Sequence, residues 1–506
     1  MTNTSLSRDL ASSLVVFLVA MPLCLGIAVA SGVPVAMGIV SGIVGGIIVG
    51  LLAGSPLQVS GPAAGLAVIV FSFVQQYGVA MLGPVLIAAG LLQILAGFLK
   101  IGSWFRAISP AVVHGMLAGI GILIILGQIH VVMGAEPSAG GLENVAALDN
   151  SVGNLWRGDA NALIALGIGV VSLAAMVAWE KFRPKALSLV PGALVGVGLG
   201  TVLAVALHLP IARVEVPDTL LQGLSFPNIS DFLLLAQPGI MITVLVIAVI
   251  ASAETLLSAA AVDRMHDGKR THFNKELFAQ GVGNSICGIL GALPITGVIV
   301  RSSANIQAGA RTRLSTILHG VWILALVAMF PQLLGMVPLT ALAAVLLVTG
   351  WRLISLHHVR HLFDHHGWIP VGIWVATVAL VVIQDLLIGV ATGLALSVME
   401  ILPYLRQRLH IGEDDKDNVI SVRLKGAGTY KDVPRLLTTL EALPKDKMVE
   451  IVCVDLQFLD HTCTETISEW LRRERRSGRQ LAVTNTPDSH HPRLIAHFKR
   501  FSAEVA

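Results

Sequence analysis

The chain has 506 residues, of which 55% are hydrophobic and only 13% are charged. A soluble domain carries about 25% charged residues, so this composition excludes a soluble enzyme and indicates a polytopic α-helical membrane protein. The net charge of +3 identifies no class of partner, because 32 of the 65 acidic and basic residues lie within residues 406–506. We therefore expect a membrane domain at residues 1–405 and a small cytoplasmic domain at residues 406–506.

Apolar segments recur along the membrane part, and several are shorter than the ~20 residues that a helix needs to cross a bilayer. Two of the short segments begin directly after "SGP" (60–62) and "PITG" (294–297), which predicts half-helices at both places. If both count as passes, the chain has about 14 segments. The apolar segments lie near residues 12–31, 35–54, 62–77, 79–99, 110–130, 161–179, 187–207, 238–260, 275–292, 314–333, 337–350, 368–384 and 386–402.

The two interrupted places resemble each other. Both "LQVSGPAA" (57–64) and "LPITGVIV" (293–300) contain a leucine, a β-branched residue, a serine or threonine and then a glycine. Each follows two segments of its own half, and paired interrupted segments are typical of transporters built from inverted repeats. We therefore predict seven-plus-seven repeats at about residues 10–209 and 235–405. The alternative is that both are ordinary Gly/Pro turns between helices.

Clusters of basic residues fall on alternating sides of the helix series, and the intervening loops at 131–160 and 208–236 are poor in Lys and Arg. The positive-inside rule then predicts a cytoplasmic N-terminus and C-terminal domain for a protein of the bacterial inner membrane. The basic clusters are Lys100 with Arg106, residues 180–185, residues 263–270, Arg311 with Arg313, and Arg352 with Arg360.

One arginine interrupts the apolar stretch after the second half-helix signal. Arg301 lies about one turn after Gly297, and an arginine at bilayer depth is costly enough to predict a function. The N-termini of half-helices present free N–H groups and a positive dipole end, which attract anions. A guanidinium adds a permanent charge and planar donors suited to an oxyanion. The alternatives are an arginine that snorkels near a helix end or one paired structurally with a carboxylate.

An intramembrane carboxylate is the counterpart of this arginine. Glu254 lies in "VIAVIASAETLLSAAA" (246–261), and Ser258 is four residues later on the same helix face. The carboxylate could neutralise Arg301 in the empty site, titrate with a co-transported proton, or share a sodium site with Ser258. A purely structural ion pair is the alternative.

These residues resemble the SulP family of anion transporters that carry a C-terminal STAS domain. The similarity runs from about residue 7 to the end of the membrane part, and the stretch at 274–315 is highly specific. The matching stretches are "MPLCLGIAVASGVP" (21–34), "VSGPAAGLAV" (59–68), "AETLLSAAAVDRM" (253–265), "NKELFAQGVGNSICGILGALPITGVIVRSSANIQAGARTRLS" (274–315) and "VPLTALAAVLLVTGW" (337–351).

The resemblance implies a core domain and a gate domain, elevator-like transport and a homodimer in the lipid membrane. It also implies a site between the third and tenth segments, with the first and eighth alongside. Carried over by position, the substrate-binding residues are Ser60, Gly61, Ala63, Gly297, Val298, Ile299 and Arg301, and the coupling-ion residues are Glu254 and Ser258.

The coupling ion is expected to be H+ or Na+. Sodium-coupled relatives tend to have a hydroxyl where Ile299 stands and an aspartate where Glu254 stands, so this chain has fewer oxygen ligands for sodium and favours a proton. The resemblance favours bicarbonate or sulfate as the small inorganic anion, and a dicarboxylate such as fumarate stays open. An uncoupled anion channel and a membrane-tethered sensor are alternatives. A nucleobase permease is disfavoured because an uncharged base does not need Arg301.

The tail alternates strand and helix patterns: strands at 419–426, 449–456 and 480–485, and helices at 431–442 and 463–476. This order resembles a short STAS domain, which implies dimerisation or a regulatory partner. In STAS regulators a phosphorylatable serine follows an aspartate in the loop before a helix. Here Asp460 matches, but His461 takes the place of the serine and Thr462 comes one residue late. The sequence therefore does not favour serine-type phosphorylation.

Other functional signals are weaker. No phosphate-binding loop supports ATP-driven transport, and we expect no cofactor, catalytic residue or nucleic-acid partner. His357, His361 and His365 have helical spacing that could hold a metal, although histidines in a cytoplasmic loop are more often solvated. The basic "RRERRSGR" (472–479) is typical of a solvated helix face, and contact with lipid headgroups is the alternative.

Overall fold

A computed structural model describes most of the chain. The residues described are 3–102, 109–138, 140–184, 187, 190–215, 224–266, 268–354, 359–360, 362–363, 367–384, 386–404, 409–416, 419–444, 447–485 and 498. The described chain is mainly helical up to Tyr404 and forms mixed α/β structure from Leu409 onward. The predicted domain boundary at residue 405 and the three histidines with helical spacing, for which we favour solvation over metal binding, lie outside the described residues.

Contacts divide the chain into two compact units. The first unit comprises Met1–Arg106, Leu117–Ile354 and Val382–Leu386, and it holds both interrupted segments. The second unit comprises Ala107–Met116, Ser355–Val381 and Leu387–Ala506, and it holds the C-terminal sheet.

The first half of the membrane part contains eight described helices and one short strand. Helix α2 widens into a π-helical turn at Gly45–Val49, and α3 begins with a 3-10 turn. The elements are α1 (Asn3–Ala30), α2 (Val35–Leu52), β1 (Ser60–Pro62), α3 (Ala64–Tyr77), α4 (Val79–Phe98), α5 (Pro110–Val132), α6 (Gly141–Trp156), α7 (Ala160–Phe182) and α8 (Gly192–Ala206).

The second half repeats this order of elements after a 3-10 turn at Ile229–Ala236. A long helix and a second helix again precede a short strand and a short helix. The elements are α9 (Pro238–Arg264), α10 (Phe273–Ile289), β2 (Ile295–Gly297), α11 (Ile299–Gln307), α12 (Leu314–Met329), α13 (Pro331–Gly335), α14 (Leu339–Leu353), α15 (Trp368–Ile383) and α16 (Leu386–Ile401).

Within the described residues, six helices are long and apolar enough to cross a membrane. Six more apolar helices have 10–17 residues. The two helices that follow the short strands, α3 and α11, are among the shortest in the membrane part. The predicted interruption of both segments is therefore present. Each interruption is a short strand in front of the helix, a form that the sequence pattern does not predict.

Helix α6 was not predicted, because residues 131–160 looked like a polar loop. Its stability comes from buried polar contacts with α5. His130 Nδ1 lies 2.7 Å from Ser151 Oγ, and His130 Nε2 lies 2.9 Å from the carbonyl oxygen of Asn144. The Asn144 side chain also donates to the carbonyl oxygens of Ser138 and Gly140, each at 2.8 Å. The helix therefore depends in part on contacts with α5, which its own sequence does not reveal.

Helices α4 and α10 pack closely through glycine. A Cβ atom added to Gly90 would lie 2.6 Å from the carbonyl oxygen of Gly281, and one added to Gly281 would lie 2.6 Å from the carbonyl oxygen of Gly90. Small residues at such positions let two helix backbones approach each other in a membrane. Because α10 leads directly to β2, this contact helps to hold the second interrupted segment.

The C-terminal chain forms a four-stranded sheet in the order β3-β4-β5-β6, with β3–β4 antiparallel and the other two pairs parallel. The predicted order of three strands and two helices is present, and β3 is an additional strand. Large apolar side chains, including Trp470 and Phe498, are buried in its core. The elements are β3 (Leu409–Lys416), β4 (Val419–Gly428), α17 (Val433–Ala442), β5 (Met448–Leu459), α18 (His461–Arg476) and β6 (Leu481–Asn485).

The loop between β5 and α18 has a structural role. Asp460 caps the helix by accepting a hydrogen bond from the N–H of Cys463 at 2.8 Å. The Cys463 thiol donates to the carbonyl oxygen of Thr429 at 3.2 Å. Burial, reinforced by the Asp460 charge, raises the pKa of this thiol. A buried thiol with a raised pKa is a poor nucleophile, so Cys463 acts in packing.

The glycine contact between α4 and α10 yields a stability prediction. Gly281→Leu must push the two backbones apart, because the atom opposite is a backbone oxygen and not a flexible side chain. Overpacking of this kind costs about 1–3 kcal/mol, so we expect a lower apparent Tm for the purified protein in detergent. The matched control is Gly167→Leu on the exposed face of α7, where an added Cβ meets no atom within 4 Å. Equal Tm values for the two variants would contradict this account of the helix contact.

Candidate functional site

Strands β1 and β2 meet within the first unit and pair as a short antiparallel ladder. This ladder is the crossing of the two interrupted segments. Ser60 pairs with Gly297, Gly61 with Thr296 and Pro62 with Ile295. The pairing continues at both ends, where the N–H of Val298 donates to the carbonyl oxygen of Val59 at 2.9 Å and the N–H of Ala63 donates to that of Pro294 at 3.1 Å. The two interrupted segments, more than 200 residues apart in the chain, are therefore in direct contact.

Each strand leads straight into a short helix. Because the strands are antiparallel, α3 and α11 extend from the ladder in opposite directions, and both helix N-termini lie at the ladder. The first N–H groups of a helix have no partner within that helix, and its N-terminus carries a partial positive charge. The ladder thus gathers two positive helix ends and unpaired N–H groups in one place, an arrangement suited to an anion.

Polar side chains of α11 and α10 hold the crossing. The Ser302 hydroxyl oxygen accepts from the N–H of Val59 at 2.9 Å, and Asn305 Nδ2 donates to the carbonyl oxygen of Leu57 at 3.0 Å. Asn284 on α10 bonds both backbone groups of Ile295, accepting its N–H at 2.7 Å and donating to its carbonyl oxygen at 3.1 Å. These side chains replace the hydrogen bonds that a continuous helix would have made.

Thr255 on helix α9 is connected to the second strand both directly and through Gln58. The Thr255 hydroxyl oxygen accepts from the N–H of Gly297 at 3.1 Å. The Gln58 side chain packs against Gly297, and its Nε2 donates to the carbonyl oxygen of Thr255 at 3.0 Å. The helix that carries Glu254 is therefore fixed to the crossing by the residue next to that carboxylate.

The Arg301 side chain is completely buried, with 0% of its surface exposed. Its Nη2 atom donates to Cys24 Sγ on α1 at 3.4 Å, while Nε and Nη1 have no hydrogen-bond partner in the part of the chain that the structure describes. No carboxylate among the described residues lies within 4.0 Å of the guanidinium. The interior of the first unit thus holds a positive charge whose donors are only partly used.

The guanidinium lies directly against Gly61. A Cβ atom added there would be 2.0 Å from Arg301 Nη1 and 2.8 Å from its Cζ atom. Any other residue at position 61 would therefore force the charged end of the arginine to move. This close approach explains why β1 contains glycine at the point where it passes the arginine.

Glu254 lies beside Gly65, at the start of α3. A Cβ atom on Gly65 would be 2.9 Å from Glu254 Oε2, and this buried oxygen has no hydrogen-bond partner in the described structure. A carboxylate at a helix N-terminus is favourably placed with respect to the helix dipole. Ser258 is buried one turn further along α9, with 2% of its surface exposed.

The structure brings the predicted substrate-binding residues together around one ladder. Ser60, Gly61 and Ala63 are buried along β1 and its end, and Gly297 is buried in β2. Three others lie at the start of α11: Val298 is half-buried, Ile299 is exposed and Arg301 is buried. One suggested contact is missing, because Glu254 and Arg301 do not form an ion pair within 4.0 Å.

Sequence reasoning missed several residues that shape the site. Cys24 contacts the guanidinium, and a buried Glu276 and Gln280 on α10 reach Ser60 through hydrogen bonds. Glu276 and Gln280 are four residues apart, so they share a helix face, and this pair of polar residues at the start of an apolar segment was the available signal. The contact of Cys24 had no such signal, since cysteine packs in apolar cores.

The chain is similar in sequence to known transport proteins. The sequence profile of the sulfate permease family matches residues 6–377 of the chain. YvdB of Bacillus subtilis, provisionally named a sulfate transporter, is 29% identical over 97% of this chain and 93% of the relative. The bicarbonate transporter BicA of Synechocystis sp. is 28% identical over 67% of this chain and 60% of the relative.

Solved structures confirm the fold class. The transmembrane domain of a cyanobacterial bicarbonate transporter, BicA, matches with a TM-score of 0.65 and 24% identity, over 78% of this chain and 98% of that one. The overall structure of SLC26A9 matches with a TM-score of 0.69 and 15% identity, over 99% of this chain and 87% of that one. The sequence profile, which covers most of the chain, places this multi-pass membrane protein in the sulfate permease family of anion transporters.

Proposed function

We propose that this protein is a secondary active transporter of a small inorganic anion, bicarbonate or sulfate, driven by a coupled cation. The anion is held between β1, at Ser60–Ala63, and the start of α11, at Gly297–Arg301. The protein lies in the bacterial inner membrane as a homodimer with both termini cytoplasmic. An elevator-type movement of the site carries the anion across.

The observation that carries this proposal is the buried guanidinium of Arg301. A charge removed from water is stable only if other groups pair with it, and in the described residues its nearest hydrogen-bond partner is a thiol. A bound oxyanion would accept hydrogen bonds from the unused Nε–H and Nη1–H groups and would balance the charge. Charge-assisted hydrogen bonds of this kind are about twice as strong as neutral ones.

The backbone supplies the remaining donors. The first N–H groups of α11, beginning with that of Ile299, have no partner within the helix, and Ser60 is the proposed contact from β1. Backbone donors bind the charge and general shape of a ligand, and they do not require one particular oxyanion. Bicarbonate and sulfate are both named among the relatives, and a dicarboxylate is the alternative substrate class.

Glu254 is the group proposed to couple transport to a cation. Its Oε2 atom is buried beside Gly65 at the start of α3, and the next residue along α9, Thr255, accepts from the N–H of Gly297. The side chain at position 299 is isoleucine, which offers no oxygen to a sodium ion. We therefore propose the proton as the coupling ion, with sodium at Glu254 and Ser258 as the alternative. The C-terminal α/β domain is proposed as a STAS module that binds a regulatory partner.

Arg301→Ala tests the anion site. The loss of hydrogen bonds to a charged group costs about 1.5–3 kcal/mol, so uptake of radiolabelled sulfate or bicarbonate into proteoliposomes should fall at least about tenfold. Gly61→Ala should lower uptake by the same route, because its methyl group displaces the guanidinium. The matched control is Arg352→Ala, which removes a half-exposed arginine whose Nη2 lies 2.6 Å from Glu180 Oε1. Uptake by Arg301→Ala equal to that of the control would remove the arginine from the mechanism.

Glu254→Gln tests the coupling. The substitution keeps the shape of the side chain and removes its charge, so an inward proton gradient should no longer drive accumulation, while exchange of labelled for unlabelled anion continues. Glu180→Gln is the matched control and should respond to the gradient like the unchanged protein. The assay compares accumulation with and without a proton gradient and a sodium gradient. An unchanged ion profile in Glu254→Gln would reject the coupling role, and uptake of the unchanged protein that never exceeds equilibrium would indicate an uncoupled channel.

A further inference from the structure

The pairing of β1 with β2 places the Thr296 side chain on the same face of the ladder as the Arg301 guanidinium. Gly61 and Thr296 are register partners. Side chains paired directly across an antiparallel ladder lie on one face, with their Cβ atoms about 4.5–5.5 Å apart. The Cβ position of Gly61 is the one that lies 2.0 Å from Arg301 Nη1. Thr296 therefore shares the arginine's face, whereas Ser60 lies on the opposite face, against Gln280.

Thr296 also lies beside the Glu254 carboxylate. The groups that face this carboxylate from the elements packed against it are the Thr296 hydroxyl on β2 and the N–H of Gly65 on α3. Thr296 Oγ1 and Glu254 Oε2 are both buried, and neither has a hydrogen-bond partner in the described structure. The charged group on this face of the ladder is Arg301, which forms no ion pair with Glu254 within 4.0 Å. One hydroxyl thus adjoins both the carboxylate and the face that holds the arginine.

The hydrogen bonding of this hydroxyl depends on the protonation of the carboxylate. A threonine hydroxyl has one proton to donate and an oxygen that accepts, whereas an ionised carboxylate only accepts. Beside an ionised Glu254, the Thr296 proton points to the carboxylate. When Glu254 binds a proton, the N–H of Gly65 takes the unprotonated oxygen, because an N–H can only donate. The new O–H group then donates to Thr296 Oγ1, and the Thr296 proton is free to turn toward the face of Arg301.

We infer that Thr296 couples proton binding at Glu254 to anion binding at Arg301. In the protonated state its hydroxyl donates to the anion, and in the ionised state it donates to the carboxylate. Glu254 takes up one proton, the Thr296 proton changes its hydrogen-bond partner, and no covalent bond of Thr296 breaks. The inference rests on the proposed function, because it takes the anion to lie beside Arg301 and the proton to bind at Glu254. Each ligand then raises the affinity for the other, since such coupling is reciprocal.

The test measures the KM for exchange of labelled for unlabelled sulfate in proteoliposomes at acidic and at alkaline pH. Bicarbonate is measured in parallel, with its KM expressed for the ionised form. The unchanged protein should have a lower KM at acidic pH, where Glu254 is protonated. Thr296→Val keeps the shape of the side chain and removes the hydroxyl. Its KM at acidic pH should rise about tenfold, as expected for one lost hydrogen bond to a charged group, and should change less with pH. Thr296→Ser should restore both properties.

Glu254→Gln should have the opposite effect on the KM. Its amide presents an NH2 group to Thr296, as the protonated acid presents its O–H, so the KM should keep the low acidic value at both pH values. The double variant should have the raised KM of Thr296→Val. The matched control is Thr340→Val on α14, because Thr340 Oγ1 is also buried without a hydrogen-bond partner in the described structure. Its KM should equal that of the unchanged protein.

The outcomes separate this inference from the proposed function. No transport of either anion by the unchanged protein would overturn the proposed function. Transport by the unchanged protein, with a KM of Thr296→Val equal to that of Thr340→Val at both pH values, would overturn the role of Thr296 alone. A raised KM in Glu254→Gln, a KM of the unchanged protein that does not change with pH, or no restoration by Thr296→Ser would do the same. Should Thr296→Val fail to fold, Thr296→Ala takes its place.

Discussion

The structure depends on the burial of one guanidinium without a carboxylate partner among the described residues. Arg301 lies in the interior of a membrane unit, held between Gly61 and Cys24, with two of its nitrogen atoms unpartnered. A charge in this setting is expensive unless a ligand of opposite sign completes its contacts. The crossing of β1 and β2 brings the positive ends of α3 and α11 to the same place, so backbone and side chain favour the same kind of ligand.

In this arrangement two membrane segments are interrupted and do not form continuous helices. Breaking a helix inside a membrane frees N–H and C=O groups that water cannot satisfy, and each such group must find another partner. The ladder satisfies some of them, and Ser302, Asn305, Asn284 and Thr255 satisfy others. A site built from broken helices therefore requires polar side chains within otherwise apolar helices, because these side chains bond the free backbone groups.

Much of this could be predicted from the sequence. Composition indicated a membrane protein, and the matching "SGP" and "PITG" signals placed both interruptions, because proline and glycine disrupt helices locally. Helix α6 and the contacts of Cys24 could not be predicted, since they arise from residues brought together only by folding. The hydrogen bonds that link Glu276, Gln280 and Ser60 are similar: each residue is visible in the sequence, but the contacts arise only from folding.

The most direct measurement is a structure of the protein with a bound anion, using selenate located by its anomalous scattering and bicarbonate in a parallel data set. The account predicts the anion beside the first N–H groups of α11, beginning with that of Ile299, and within hydrogen-bond distance of the Arg301 guanidinium. An anion bound far from the crossing of β1 and β2, with the arginine donors satisfied by protein groups alone, would contradict it.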